Sequence, residues 1–309
     1  MAKYPSEMFG YYWKDASKEA QSARKKHHCP FHDSECFKKS RLVDYPFGVC
    51  TAHTDGKEIA LCPRRFLENG IVFKDIAKTH FGSIHNILVF SEVGLPGIGN
   101  FDFVMVKHKP LSTIVEDFVA IELQTGQTTS TGKLVEGFKD FMESGTLAPE
   151  ATYNFGINTY DIWKRTFTQI LNKGIILEKW RRKIFWVVQQ PIFEYFQHKY
   201  RLGSLKYDPV HSSVFLLYDL GLHGNRLVLS QTHMYSSTID ALFEAFRKND
   251  EIPPVERFVE RLQAKVDTDM KLGLRLDVKR PSSYFDAPKP TSTGRIREDQ
   301  AEYGIIEEE

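Results

Sequence analysis

The stretch NFDFVMVKHKPLSTIVEDFVAIELQT, residues 100–125, holds two largely apolar runs with polar residues towards their ends, separated by a polar break. The pattern predicts two β-strands joined by a turn, at 101–107 and 118–125. Upstream, IHNILVFSE (84–92) is apolar enough for a central strand, and VGLPGIG (93–99) reads as a turn. A helical period appears at 134–143 and again at 159–173. In the second helix Tyr160, Trp163, Phe167, Ile170 and Leu171 share a stripe, with Gly174 as the stop. Residues 183–196 form a near-continuous β-prone run in which Pro191 marks a break or an edge. Runs at 214–220 and 226–231 flank GLHGN, the sign of a hairpin, and helices follow at 238–248 and 255–270. Another helix opens at Arg64 and runs, interrupted by Gly70, to about residue 79. Residues 1–28 read as an aromatic-rich arm or short helix entering the cluster Arg24-Lys25-Lys26-His27-His28, and 145–157 as a linker-like loop. The sum is a mixed sheet flanked by helices, α/β or α+β.

Composition narrows this little. A chain of 309 residues with 41% hydrophobic content supports one large domain, or one core with a small appendage. A net charge of +1 names no partner, so a nucleic-acid surface has to come from local clustering. No run of 18 apolar residues suggests a membrane span, and the N-terminal stretch lacks the apolar core of a secretory signal. A cytoplasmic location is expected.

The four cysteines change the picture. Cys29, Cys36, Cys50 and Cys62 fall in C-P-F-x4-C-x13-C-x11-C-P, and no other cysteine occurs. Two disulfides, four unrelated buried thiols and a four-thiolate metal site all account for them. A reducing compartment disfavours disulfides. A tetrahedral four-cysteine site explains both the clustering and the loop-rich surroundings. Its role would be structural, since four ligands leave no open position for substrate. Fe and Zn are not separated by the ligands alone.

The acidic residues supply the second chemistry. Residues two apart on a strand share a face, so Glu122 and Gln124 look out together, and Asp102 can join them if the strands pair. Asp, about twenty residues, then Glu-x-Gln or Glu-x-Lys is the shape of a PD-(D/E)xK nuclease site. There Asp102 and Glu122 hold Mg²⁺ and the third group orients the attacking water. Gln124 can hydrogen-bond that water but carries no charge. Glu92, ending the preceding apolar run, offers a third carboxylate.

Together, C-P-F-x4-C, P-F-G-V-C-T (46–51), C-P-R-R-F (62–66), N-F-D-F (100–103) and A-I-E-L-Q-T (120–125) resemble the NotI family of Type II restriction endonucleases. The resemblance covers about the first 130 residues. It implies a PD-(D/E)xK core with a small four-cysteine module holding iron. It also implies homodimers that need Mg²⁺ and cut GC-rich palindromes containing GGCC, leaving a 5′ overhang. The family's glutamate, aspartate and Glu-x-Gln carry over to Glu92, Asp102, Glu122 and Gln124. Expected boundaries are 1–66 for the arm and cysteine module, 67–270 for the nuclease core and 271–309 for a polar, extended or partly disordered tail. Double-stranded DNA is the expected partner, with Arg64, Arg65, Lys133, Arg181 and Arg182 as candidate contacts. A repair or recombination nuclease with an Fe–S cluster, and a non-catalytic four-cysteine DNA-binding module, are the alternatives.

Overall fold

The computed structural model describes residues 2–147, 152–200, 202, 205–247 and 254–269. The chain forms two compact units, Met1–Asn249 and Asp250–Glu309. In the first, the expected arm is a small folded layer. It holds β1 (Tyr4–Met8), β2 (Tyr11–Tyr12), α1 (Lys18–Lys26), β3 (His28–Cys29), β4 (Ser34–Glu35), β5 (Val49–Thr54) and β6 (Lys57–Ala60). The order β2-β1-β5-β6 makes an antiparallel sheet, and β3 pairs with β4 alone. Ser17 caps α1 by accepting the Ala20 N–H at 3.2 Å.

A 3₁₀ segment, Pro63–Gly70, leads into α2 (Ile71–Ile76) and a π turn, Ala77–Phe81. Next come β7 (Ile87–Leu95), β8 (Gly99–His108), β9 (Val115–Gln124), the short β10 (Thr128–Thr129) and α3 (Thr131–Ser144). After β11 (Gly156–Ile157) follow α4 (Thr159–Gln169), a π turn at Ile170–Gly174, α5 (Ile175–Lys179), β12 (Lys183–Gln189) and α6 (Gln190–Lys199). The unit closes with the hairpin β13 (Ser213–His223) and β14 (Arg226–Ser237), then α7 (Ile239–Arg247). The main sheet has the order β14-β13-β12-β9-β8-β7. Strands β9, β12 and β13 run parallel, and the other pairs are antiparallel.

Strand alternation sorts β9 between two cores. Ala120 packs with Ile184, Trp186, Val188 and Ile162 on one face. Val119, Ile121 and Leu123 pack with Phe185, Val187, Phe66 and Ile76 on the other. Glu122 therefore points into the same layer as Ala120, the layer roofed by α4.

Three expectations need correcting. The run at 84–92 is an edge strand, extended to Leu95, with Leu88 and Phe90 about half exposed (50% and 49%). Its apolar content misread as central burial. The run at 183–196 splits: Pro191 sits in the first turn of α6, where no N–H is needed, so it starts a helix instead of breaking a strand. Gly174 is no helix stop. Its right-handed φ of −61° carries the helix on into α5, and a Cβ there would meet Ile239 Cδ1 at 2.7 Å.

In the second unit, α8 (Val255–Asp269) carries Val255, Phe258, Val259, Leu262 and Val266 on a helical stripe. The tail expected at 271–309 lies outside the described residues.

Candidate active site

The β8–β9 register pairs Phe103 with Ile121, which sets Asp102 opposite Glu122. The Leu123 N–H donates to Asp102 Oδ2 at 2.8 Å, fixing that carboxylate at the strand junction. On β7 the pairs Ser91–Phe103 and Val93–Phe101 leave Glu92 between them, opposite Asp102. Glu92 adopts a left-handed φ of 53°, rare for a residue with a Cβ and concentrated at functional sites. Three neighbouring strands thus bring one carboxylate each to the same level of the sheet. Burial, opposed by the Leu123 N–H, raises the Asp102 pKa, and Glu92 adds to the rise. Burial, then the charge of Asp102, pushes Glu122 up to about 7. Crowding of like charges is what a bound cation relieves.

Glu122 is completely enclosed (0% exposed), and its neighbours come from α4 and the π turn. Lys173 Nζ donates to Glu122 Oε1 at 2.6 Å and to the Asn100 carbonyl at 2.5 Å. Gln169 Nε2 donates to Glu122 Oε2 at 3.0 Å. Gln124, only 1% exposed, donates to Gln169 Oε1 and accepts from the Thr166 hydroxyl, both at 2.8 Å. Thr166, Gln169 and Lys173, spaced three and four apart, share one helical stripe. Sequence reasoning missed all three. The signal was a polar stripe beside the apolar one, on a helix whose Tyr160, placed in the apolar stripe, is in fact exposed.

Glu92 and Asp102 open into a cleft of about 430 Å³, lined also by Leu123, Phe103, His32, Phe37, Pro63 and Arg64. The cysteine-bearing segment therefore walls the carboxylate cleft. All four cysteines are free thiols; Cys29, Cys50 and Cys62 are buried. Burial raises the pKa of Cys36, Cys50 and Cys62. Cys29 adds to each rise, Cys62 to that of Cys50 and Cys36 to that of Cys62. They are not drawn into a closed ligand set. Among the described residues no group of three His, Cys, Asp or Glu side chains is arranged to hold a metal ion.

The candidate DNA contacts separate. Arg64 stands on the cleft wall, stacked over the Phe37 ring at 4.2 Å. Arg65 is fully buried, paired with Glu7 and Glu68 at 2.8 Å each and donating to the Leu227 carbonyl at 2.7 Å. It is a structural ion with no face left for DNA, correcting the expectation that grouped it with Arg64. Lys133 pairs with Glu136 at 2.7 Å on the surface. Arg181 is exposed beside Arg182, which binds Asp117 at 2.8 Å. Asp117 lies roughly 17 Å back along β9 from Glu122 at the usual strand rise, so these arginines do not join the cleft.

No match was found among curated proteins. A family model described as restriction endonuclease NotI matches residues 14–221, more than half of the chain and a span that holds every residue of the site above. On that match the chain belongs to the NotI restriction endonuclease family.

Proposed function

We propose that this chain is a Type II, site-specific deoxyribonuclease in which Mg²⁺ drives hydrolysis of duplex DNA. A PD-(D/E)xK core would hold the ion through Asp102 and Glu122, with Glu92 as a ligand directly or through water. The observation that carries the reading is the register opposition of Asp102 and Glu122, with Glu92 on the next strand. A cage of protein ligands is not required for the fit, because Mg²⁺ keeps several waters and takes one or two carboxylates. When bound, the ion lowers the pKa of a water and polarises the phosphate. The chain's own part is to hold the two acids at one junction and to tie Gln124, through Thr166 and Gln169 of α4, so that the group beside Glu122 that sets the water's position is fixed.

Family membership supports a GC-rich palindromic target containing GGCC, cut to leave a 5′ overhang. A palindrome favours a two-fold symmetric homodimer. Arg64, on the cleft wall, is the best-placed candidate for DNA contact. The clustering of all four cysteines between residues 29 and 62 of the sequence supports a structural Fe or Zn site, although among the described residues their side chains are not drawn into a closed ligand set. The test is digestion of plasmid DNA with Mg²⁺. Discrete bands are expected from the wild type and none from Glu122→Gln, which retains DNA binding in Ca²⁺. Unchanged cutting by Glu122→Gln sinks the assignment.

A further inference from the structure

Position 124, two residues along β9 from Glu122, carries an uncharged amide, and both ends of that amide are committed to α4. A positive charge nevertheless stands beside the carboxylates. Lys173 is 7% exposed, and its ammonium bridges Glu122 Oε1 and the Asn100 carbonyl, two residues from Asp102. The same charge works against the burial-driven rise in the Asp102 pKa. Lysines ordinarily snorkel their heads into water. Enclosing one is costly unless it is paired and hydrogen-bonded, as here. The backbone that delivers it is also unusual: the π turn Ile170–Gly174 sits within an otherwise α-helical run, and such turns occur frequently at functional sites. Gly174 packs closely under Ile239, where a Cβ would meet Ile239 Cδ1 at 2.7 Å and require that side chain to shift.

We propose that Lys173 supplies, from the helix, the positive charge that β9 lacks at position 124, and that Gln124 is a positioning residue acting through Thr166 and Gln169. This rests on the nuclease reading above. In hydrolysis the water oxygen bonds to phosphorus and the bond to the leaving sugar oxygen breaks. The water gives up a proton to solvent and the leaving oxygen takes one. Lys173 takes no part in these proton transfers and offsets the negative charge gathering around the phosphate.

The test moves the charge. Lys173→Met is expected to lower the single-turnover cleavage rate at least about a hundredfold, with DNA binding in Ca²⁺ retained. The double variant Gln124→Lys/Lys173→Met returns the cation to the strand and is expected to cut at least about tenfold faster than Lys173→Met alone. A purely space-filling or structural Lys173 predicts no such rescue. Melting of the metal-free protein gives an independent readout. Lys173→Met and Glu122→Gln are expected to be strongly non-additive, since each removes the other's partner. Wild-type-like cutting by Lys173→Met, a double variant no faster than it, or additive melting overturns the inference and leaves the nuclease reading standing. A wild-type protein that cuts no DNA overturns both, while the melting cycle still reports on the ion pair.

Discussion

Arg64 and Arg65 are chain neighbours in opposite environments. Arg65 satisfies Glu7 and Glu68 inside the protein, so Arg65→Met strands two acids and is expected to lower unfolding free energy by about 3–5 kcal/mol in a denaturant titration. Arg64→Ala is expected to change stability by no more than about 0.5 kcal/mol. Measured against salt concentration, it should weaken DNA binding and reduce the salt slope by about one. The sequence C-P-R-R-F does not tell the two apart, because identical side chains differ only in which way the 3₁₀ turn faces them. That Glu122 and Gln124 share a face, with Asp102 able to stand beside Glu122, was legible because a strand's period of two fixes a face without tertiary knowledge. Lys173 was not, since a lysine in a helix ordinarily reads as solvated and its partner lies 51 residues away.

Among the elements, the β8–β9 hairpin was readable from two apolar runs around a polar break, whereas β7 and β12–α6 were misread for different reasons. The apolar run of β7 does not reveal that it lies at the sheet edge, and Pro191 looks the same in sequence whether it breaks a strand or opens a helix. The α4–α5 run was cut short at Gly174 because glycine's use in close packing looks, in sequence, like its use in stopping helices. Gly174→Ala is therefore expected to destabilise the protein by about 1–3 kcal/mol and to slow cleavage by shifting the π turn under Lys173. A stabilised helix with unchanged cutting would show that the contact with Ile239 is slack. The π turn after α2 makes a second tie to β9, through His80 Nε2 and Asp117 Oδ2 at 2.9 Å. Burial, only partly offset by Asp117, lowers the His80 pKa. A base whose folded pKa lies below its unfolded value contributes stability that is complete above about pH 6.5 and is lost as pH falls through the folded pKa. Melting temperature should accordingly drop as the solution is acidified below neutrality, with a shallower drop in His80→Gln.

For the whole molecule, sedimentation is expected to report a mass near twice the 35.7 kDa chain, and elemental analysis a stoichiometric Fe or Zn. A metal-free protein purified without chelator would remove the cysteine site from the account. Because His32, Phe37 and Arg64 wall the carboxylate cleft, alkylating the cysteines is expected to reduce cutting as well as stability. The coarse plan, a mixed sheet with helices around an acidic hairpin, followed from periodicity. The charge balance at its centre did not, because it is assembled from segments that meet only in the finished fold. That separation has a consequence during synthesis. The hairpin bearing Asp102 and Glu122 leaves the ribosome well before Lys173, and Ile239, which packs over Gly174, comes later still. Before Lys173 is made, the chain holds β7, β8 and β9 but neither the lysine that pairs with Glu122 nor β12, the strand that pairs with β9. The charge pair at Glu122 is thus completed only after more than two thirds of the first unit, Met1–Asn249, has been made.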